Sequence, residues 1–126
     1  MFYRGKVHQK IFEGEINRKP NKCSNKYLAI LYLISADKTL WYNSKYAIEK
    51  KRINLDEIKL NGISPYGYSL LRVAQDIATA SVHLTFSDLA DTYLISDVTF
   101  ELIITALKIA REGYNYIGID KAFCEV

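Results

Sequence analysis

The sequence predicts a mainly α, compact single-domain bundle of about five helices, with at most a short strand pair. Three observations carry that prediction. Glycine and proline are scarce, 6 and 2 in 126 residues, whereas a fold of many short strands needs turn residues at close intervals. Two later segments repeat apolar residues at helical spacing behind good start signals. The run YLAILYLI, Tyr27 to Ile34, is apolar nearly all round, which suits a helix buried on every side.

The elements follow in order. A first helix is expected over residues 5–18, with Val7, Ile11 and Ile16 on one side and Phe12 beside them. Pro20 and Asn21 stop it, since proline restricts the residue before it and lacks a donor. Ser24 is placed to cap the apolar helix, its hydroxyl accepting a free first-turn amide. Only Ile30 and Ile34 in that run are β-branched and nothing alternates with period 2, so helix wins over strand. Asp37 restarts a shorter helix through Leu40, Trp41 and Tyr42, with Trp41 at or near the core.

Residues 49–63 alternate only in part, which fits a short strand pair and an irregular connection equally. Asn61-Gly62 marks a turn, and Ser64-Pro65 is the cleanest helix start in the chain. Beyond it Leu70, Leu71, Ala74, Ile77 and Ala78 form an inner face, with Arg72, Gln75, Asp76 and Thr79 turned away. Residues 82–96 read as a connector with one helical turn around Asp88. Asp97 is expected to cap a last long helix to about Glu112, with Phe100, Ile103, Ile104 and Leu107 inward and Gly113 as its left-handed stop. Residues 113–126 are expected as a C-terminal tail, a short strand or an extended arm.

Composition bounds the function. A chain of 126 residues with 49% hydrophobic and 25% charged content can bury a core without disulfides or metal. Cys23 and Cys124 sit near opposite ends with no CxxC spacing, the usage expected of free thiols in the cytoplasm. The opening MFYRGKVHQK carries charges where a secretion signal needs an apolar core. The apolar run is also far short of the ~20 residues that cross a bilayer, so no membrane association is expected.

Charge is unevenly placed. Residues 1–63 hold 13 Lys/Arg against 6 Asp/Glu, and residues 64–126 hold 4 against 8. The halves are therefore +7 and −4. Internal pairing, head-to-tail association and a basic face for an anionic partner all fit that asymmetry.

Chemistry is harder to find. His8 lies beside Lys6 and Lys10, His83 lies in the connector, and neither has a neighbour in sequence that makes it a catalytic base or a metal ligand. Phosphate-binding glycine loops are absent. The densest carboxylates are Asp88, Asp91 and Asp97, with Asp56-Glu57 as a second group. Paired carboxylates do chemistry only in convergent geometry, which the sequence does not show, and Asp97, with Asp88 beside it, has adequate work as a cap. No catalytic residue, cofactor or metal is therefore expected. The candidate partner-binding residues are Arg18, Lys19, Lys22, Lys50, Lys51 and Arg52, for their charge. Tyr42 and Tyr46 join them, because tyrosine combines large contact area with a polar tip. A total of ten tyrosines fits an interface and an AT-rich coding sequence equally.

Four pieces form a familiar set: Phe2-Tyr3 with His8 and Phe12; LAILYLISADKTLW, Leu28 to Trp41; SLLRVAQDI, Ser69 to Ile77; and DVTFELIITALKIA, Asp97 to Ala110. Their order and spacing resemble a family of small helical proteins of unknown function from low-GC Gram-positive bacteria and their mobile elements. The resemblance spans most of residues 2–112, rests mainly on core positions, and fails in the longer tail 113–126. It carries no functional residue to this chain. What it implies is a cytoplasmic accessory protein of bacterial or phage origin. The expected function is therefore that of a small non-enzymatic binding protein occupying a macromolecular partner's surface, for example as an inhibitor of a host defence system. A protein partner is expected first, nucleic acid bound through the basic N-terminal half is the alternative, and a homodimer stays open.

Overall fold

The computed structural model describes residues 1–18, 23–49 and 52–118. Its centre is α2 (Asn25–Ile34), in which every side chain from Tyr27 to Ile34 is buried. Leu28, Leu31, Leu33 and Ile34 are wholly inaccessible, and each such side chain contributes about 1.5–3 kcal/mol over its exposed state. Ser24 caps the helix by accepting from the Tyr27 amide at 3.1 Å, as its position before the apolar run predicts.

Helices wrap this core. The first, α1 (Lys6–Arg18), buries His8, Phe12 and Ile16. The stripe is thus rotated from the expected one: Val7 is exposed, because the helix sits with His8 against α2. Next, α3 (Lys38–Ser44) starts at Asp37, whose carboxylate accepts from the Leu40 amide at 2.9 Å. Trp41 packs partly buried against the core. A 3-10 turn (Lys45–Ala47) then leads into two-residue strands β1 (Ile48–Glu49) and β2 (Arg52–Ile53), antiparallel with Ile48 opposite Ile53. A second 3-10 turn (Leu55–Glu57) follows.

The long helices α4 (Pro65–Thr79) and α6 (Asp97–Glu112) both lie against α2. Ser64 caps α4 through the Gly67 amide at 3.1 Å. The cap of α6 is Ser96, whose hydroxyl takes the Thr99 amide at 3.3 Å, and Asp97 is only the first helical residue. Its buried face is Thr99, Leu102, Ile103, Thr105, Ala106 and Ile109. Phe100 and Leu107, expected inward, are exposed. The apolar arc of α6 is wider than the strip α2 and α4 cover, and the surplus faces outward.

Short turns complete the chain: α5 (Phe86–Leu89) within the connector, and α7 (Tyr114–Ile117) where a strand or arm was expected. Gly113 stops α6 with positive φ, at 59°, but with ψ of −133° it is not left-handed helical. Residues 119–126 lie outside the described part. Among the described residues no helix is long and apolar enough to cross a membrane.

Candidate functional site: an apolar cleft between α4, α5 and α6

Leu107, part of the outward surplus of α6, lines a cleft. Val73 and Ile77 of α4, Leu89 of α5, and Ile103 and Leu107 of α6 form its walls, and the connector residues Val82 and Leu84 its rim. The volume is about 510 Å³, within the range of small binding sites. Phe86 stands at its mouth 91% exposed, with Val82 75% and Leu107 42% exposed. Isolated exposed apolar residues mean little; these three lie together around one cleft.

Phe86 is held rather than loose. The turn that carries it has a complete capping box: Thr85 Oγ1 accepts from the Asp88 amide at 3.1 Å, and the Asp88 carboxylate accepts from the Thr85 amide at 2.9 Å. Two amides at the helix start are satisfied reciprocally. Asp88 thus has the capping role expected of it.

The loop beside Phe86 is fixed by Asp76, which does not simply face solvent as the helical pattern suggests. Its carboxylate accepts the His83 amide at 2.8 Å and the Leu84 amide at 3.1 Å. It also accepts the Ser81 hydroxyl at 2.9 Å and His83 Nδ1–H at 2.6 Å. Desolvation raises its pKa, but the hydrogen bonds from the His83 ring, the two amides and Ser81 outweigh that and hold it below the usual carboxylate range. Sequence reasoning left His83 without partners because Asp76 is seven residues away, across a helix end.

Serine, histidine and aspartate therefore meet here, but not as a catalytic triad. In such a triad one imidazole nitrogen faces the carboxylate while the other takes the serine proton. Ser81 Oγ instead lies 3.3 Å from Nδ1, the nitrogen already turned to Asp76, and gives its proton to the same carboxylate oxygen. The arrangement ties a loop down. Among the described residues, no group of three or more His, Cys, Asp or Glu could hold a metal ion.

His8 is also satisfied, inside the core. Its Nε2 donates to the Tyr32 carbonyl at 2.8 Å and its Nδ1 accepts the Arg4 amide at 3.0 Å. Burial, opposed in part by the Tyr32 bond and aided by the Arg4 charge, lowers its pKa to about 4.

The partner-binding residues expected from sequence do not converge on the cleft. Arg18 pairs with Glu15 at 3.0 Å on the α1 surface. Lys19, Lys22, Lys50 and Lys51 lie outside the described residues, and of Arg52 only the strand backbone is described. Tyr42 and Tyr46 are 69% and 95% exposed. With Lys38 and Lys45 they form a basic, aromatic stripe along α3 and its 3-10 continuation, Lys45 Nζ lying 5.5 Å from the Tyr42 ring centre. The cleft itself escaped sequence reasoning. Its signal was Ile103 and Leu107 of the stripe that periodicity assigns to the core.

Comparison with family models, with curated proteins and with solved structures finds no match to this chain.

Proposed function

We propose that this chain is a non-enzymatic protein-binding module that docks a segment of a protein partner in the cleft between α4, α5 and α6. The observation that carries the reading is Phe86, an almost fully exposed aromatic on a doubly capped turn at the mouth of an apolar cleft. Aromatic anchors ordered before binding dominate interface energetics, because they lose little entropy on association.

The polar groups lining the cleft favour a protein segment over a small polar ligand. Asp76, Ser81 and Thr85 all spend their hydrogen bonds within the chain. What remains to offer is apolar surface, which suits apolar side chains from a helix or strand. The cytoplasmic, mobile-element setting implied by the family resemblance agrees with such a role, and inhibition of a host defence machine is the form we favour. Nucleic acid is the second reading, supported by the Lys38–Tyr42–Lys45–Tyr46 stripe.

The test is a photo-crosslinking residue placed at position 86, and separately at exposed Val7, in the full chain added to nuclease-treated bacterial lysate. A discrete protein adduct from position 86 alone is expected. Equal adducts from both positions, or none from 86, overturn the cleft reading. Binding that disappears with nuclease and weakens steeply with salt transfers the argument to nucleic acid.

A further inference from the structure

A second cavity, of about 450 Å³, lies on a different face of α4 from the apolar cleft, between that helix, the connector and the 3-10 turn Leu55–Glu57. Its lining is polar. Arg72 and Gln75 come from α4, Asn54 and Asp56 from the turn and its cap, and His83 from the connector.

The internal hydrogen bonds of these groups share a direction. Arg72 Nη1 donates to Gln75 Oε1 at 2.8 Å, and its Nη2 donates to the Tyr68 hydroxyl. Asn54 Oδ1 accepts the Asp56 amide at 3.3 Å. Each carboxamide thus spends its oxygen inside the chain and keeps its NH₂ group, and of the five guanidinium hydrogens about three remain. Among the described residues those leftover donors have no partner. Arg72, Gln75 and Asn54 are all partly buried, whereas the permanent side-chain acceptors in the lining, Asp56 and the Thr79 hydroxyl, belong to exposed residues. A guanidinium already held by two bonds also loses little freedom when a ligand arrives.

We infer that this cavity binds a small ligand through an oxyanion, a phosphate or carboxylate group that accepts from Arg72, Gln75 and Asn54. Such bonds are charge-assisted and roughly twice as strong as neutral ones. His83 gives its Nδ1–H to Asp76 at 2.6 Å, so Nε2 is the ring nitrogen left over, and it adds a fourth donor when the ring is protonated. Asp56 opposes an anion, but its exposed charge is screened by salt and weakens binding rather than abolishing it. The site is separate from the apolar cleft and does not depend on what the cleft holds.

The test is a titration of the full chain with sodium phosphate, and separately with sodium acetate, at fixed ionic strength, read by NMR on side-chain N–H signals. Saturable shifts of Arg72 Nε–H and of the Gln75 and Asn54 NH₂ groups are expected. Tighter binding of phosphate assigns a phosphorylated ligand, and tighter binding of acetate a carboxylated one. Gln75→Glu keeps an acceptor for Arg72 but replaces the free NH₂ group with an acceptor oxygen, and binding at least about tenfold weaker is expected. Asp56→Asn removes the opposing charge and is expected to bind about two- to fivefold tighter. Circular dichroism verifies that both variants keep the helical fold. No saturable shift with either ion overturns the inference, as do shifts no larger at these three side chains than at the surface lysines. Unchanged binding by Gln75→Glu overturns it too. Weaker binding by Asp56→Asn does the same, because the carboxylate would then be receiving the ligand.

Discussion

His8 Nε2 and the Tyr32 carbonyl oxygen, 24 residues apart in sequence, are joined by a 2.8 Å hydrogen bond inside the core. That bond fixes the neutral tautomer, with the proton on Nε2 and the Nδ1 lone pair taken by the Arg4 amide. Around it Tyr3, Phe12 and Tyr32 pack at ring distances of 4.7–6.1 Å, and the Tyr32 hydroxyl donates to the Phe2 carbonyl at 2.6 Å. The N-terminal strand of chain, Phe2 to Arg4, is thereby strapped to the central helix. Its last residue adds a guanidinium bond to the Ala36 carbonyl at 3.1 Å and lies over the Tyr66 ring.

Protonating His8 breaks this arrangement, because Nδ1 would face the Arg4 amide with a second hydrogen. The folded pKa is lowered from 6.5 to about 4. The folded state therefore binds fewer protons than the unfolded state between those values, and stability rises with pH there. The contribution is complete above pH 6.5 and is lost as pH falls from 6.5 towards 4. Its size is on the order of 3 kcal/mol. Urea denaturation at pH 7.5, 6 and 5 is expected to show the loss in the wild-type chain. In His8→Gln, neutral throughout, the same pH series should lack that component; an unchanged slope would assign it to carboxylates instead.

Asp76→Asn should loosen the cleft rim. The amide keeps the shape but loses the charge, and its NH₂ group confronts the donors of His83, Leu84 and Ser81. A charge-assisted network of this kind is expected to cost about 1–3 kcal/mol when broken. Amide exchange at residues 83 and 84 should accelerate more than exchange in α2, because the loop is what Asp76 holds. The wild-type contribution is present above the ordinary carboxylate pKa and is lost as pH falls through the depressed folded value. Uniform acceleration across the chain would instead make Asp76 a residue of general stability.

Most of the fold could be read from local rules. Ser24, Asp37 and Ser64 each cap the helix their sequence position suggested, because a capping bond spans three residues and leaves a local signature. At α6 the same rule slipped by one, since Ser96 and Asp97 are both good caps and only the backbone decides between them. The bundle centre was readable for a different reason: a helix apolar on all sides has one stable environment in water. The cleft was not readable. Ile103 and Leu107 have the periodicity of core residues, and periodicity reports that an apolar face exists without saying what covers it. The Asp76–His83 contact was hidden likewise, because it depends on the reversal of chain direction at Ala80.

That reversal supplies a further prediction. Ala80 adopts φ 56° and ψ 28°, and among the described residues it is the sole non-glycine with positive φ. A Cβ in this region costs about 1 kcal/mol or more, offset here by the loop that Asp76 anchors immediately after. Ala80→Gly removes that strain but frees the unfolded chain. A net gain of roughly 0.5–1 kcal/mol is expected, read as a higher urea midpoint at unchanged slope. A loss of stability would mean that the methyl group packs usefully in the turn.

Gly113 presents the opposite case. Its φ is 59°, and a Cβ built there would overlap the side-chain oxygen of Asn25. Asn25 sits at the start of α2 and donates its amide to the Arg111 carbonyl at 3.3 Å, tying the end of α6 to the central helix. Gly113→Ala thus meets two costs, backbone strain and displacement of Asn25, and about 1–3 kcal/mol of destabilisation is expected. The two separate in a double-mutant cycle with Asn25→Ala. Alone, Asn25→Ala loses the bond to Arg111 and destabilises slightly. In the Gly113→Ala background it removes the overlap, and the double variant should be more stable than the sum of the single losses. Strict additivity would locate the whole cost of Gly113→Ala in its backbone, with Asn25 moving aside freely.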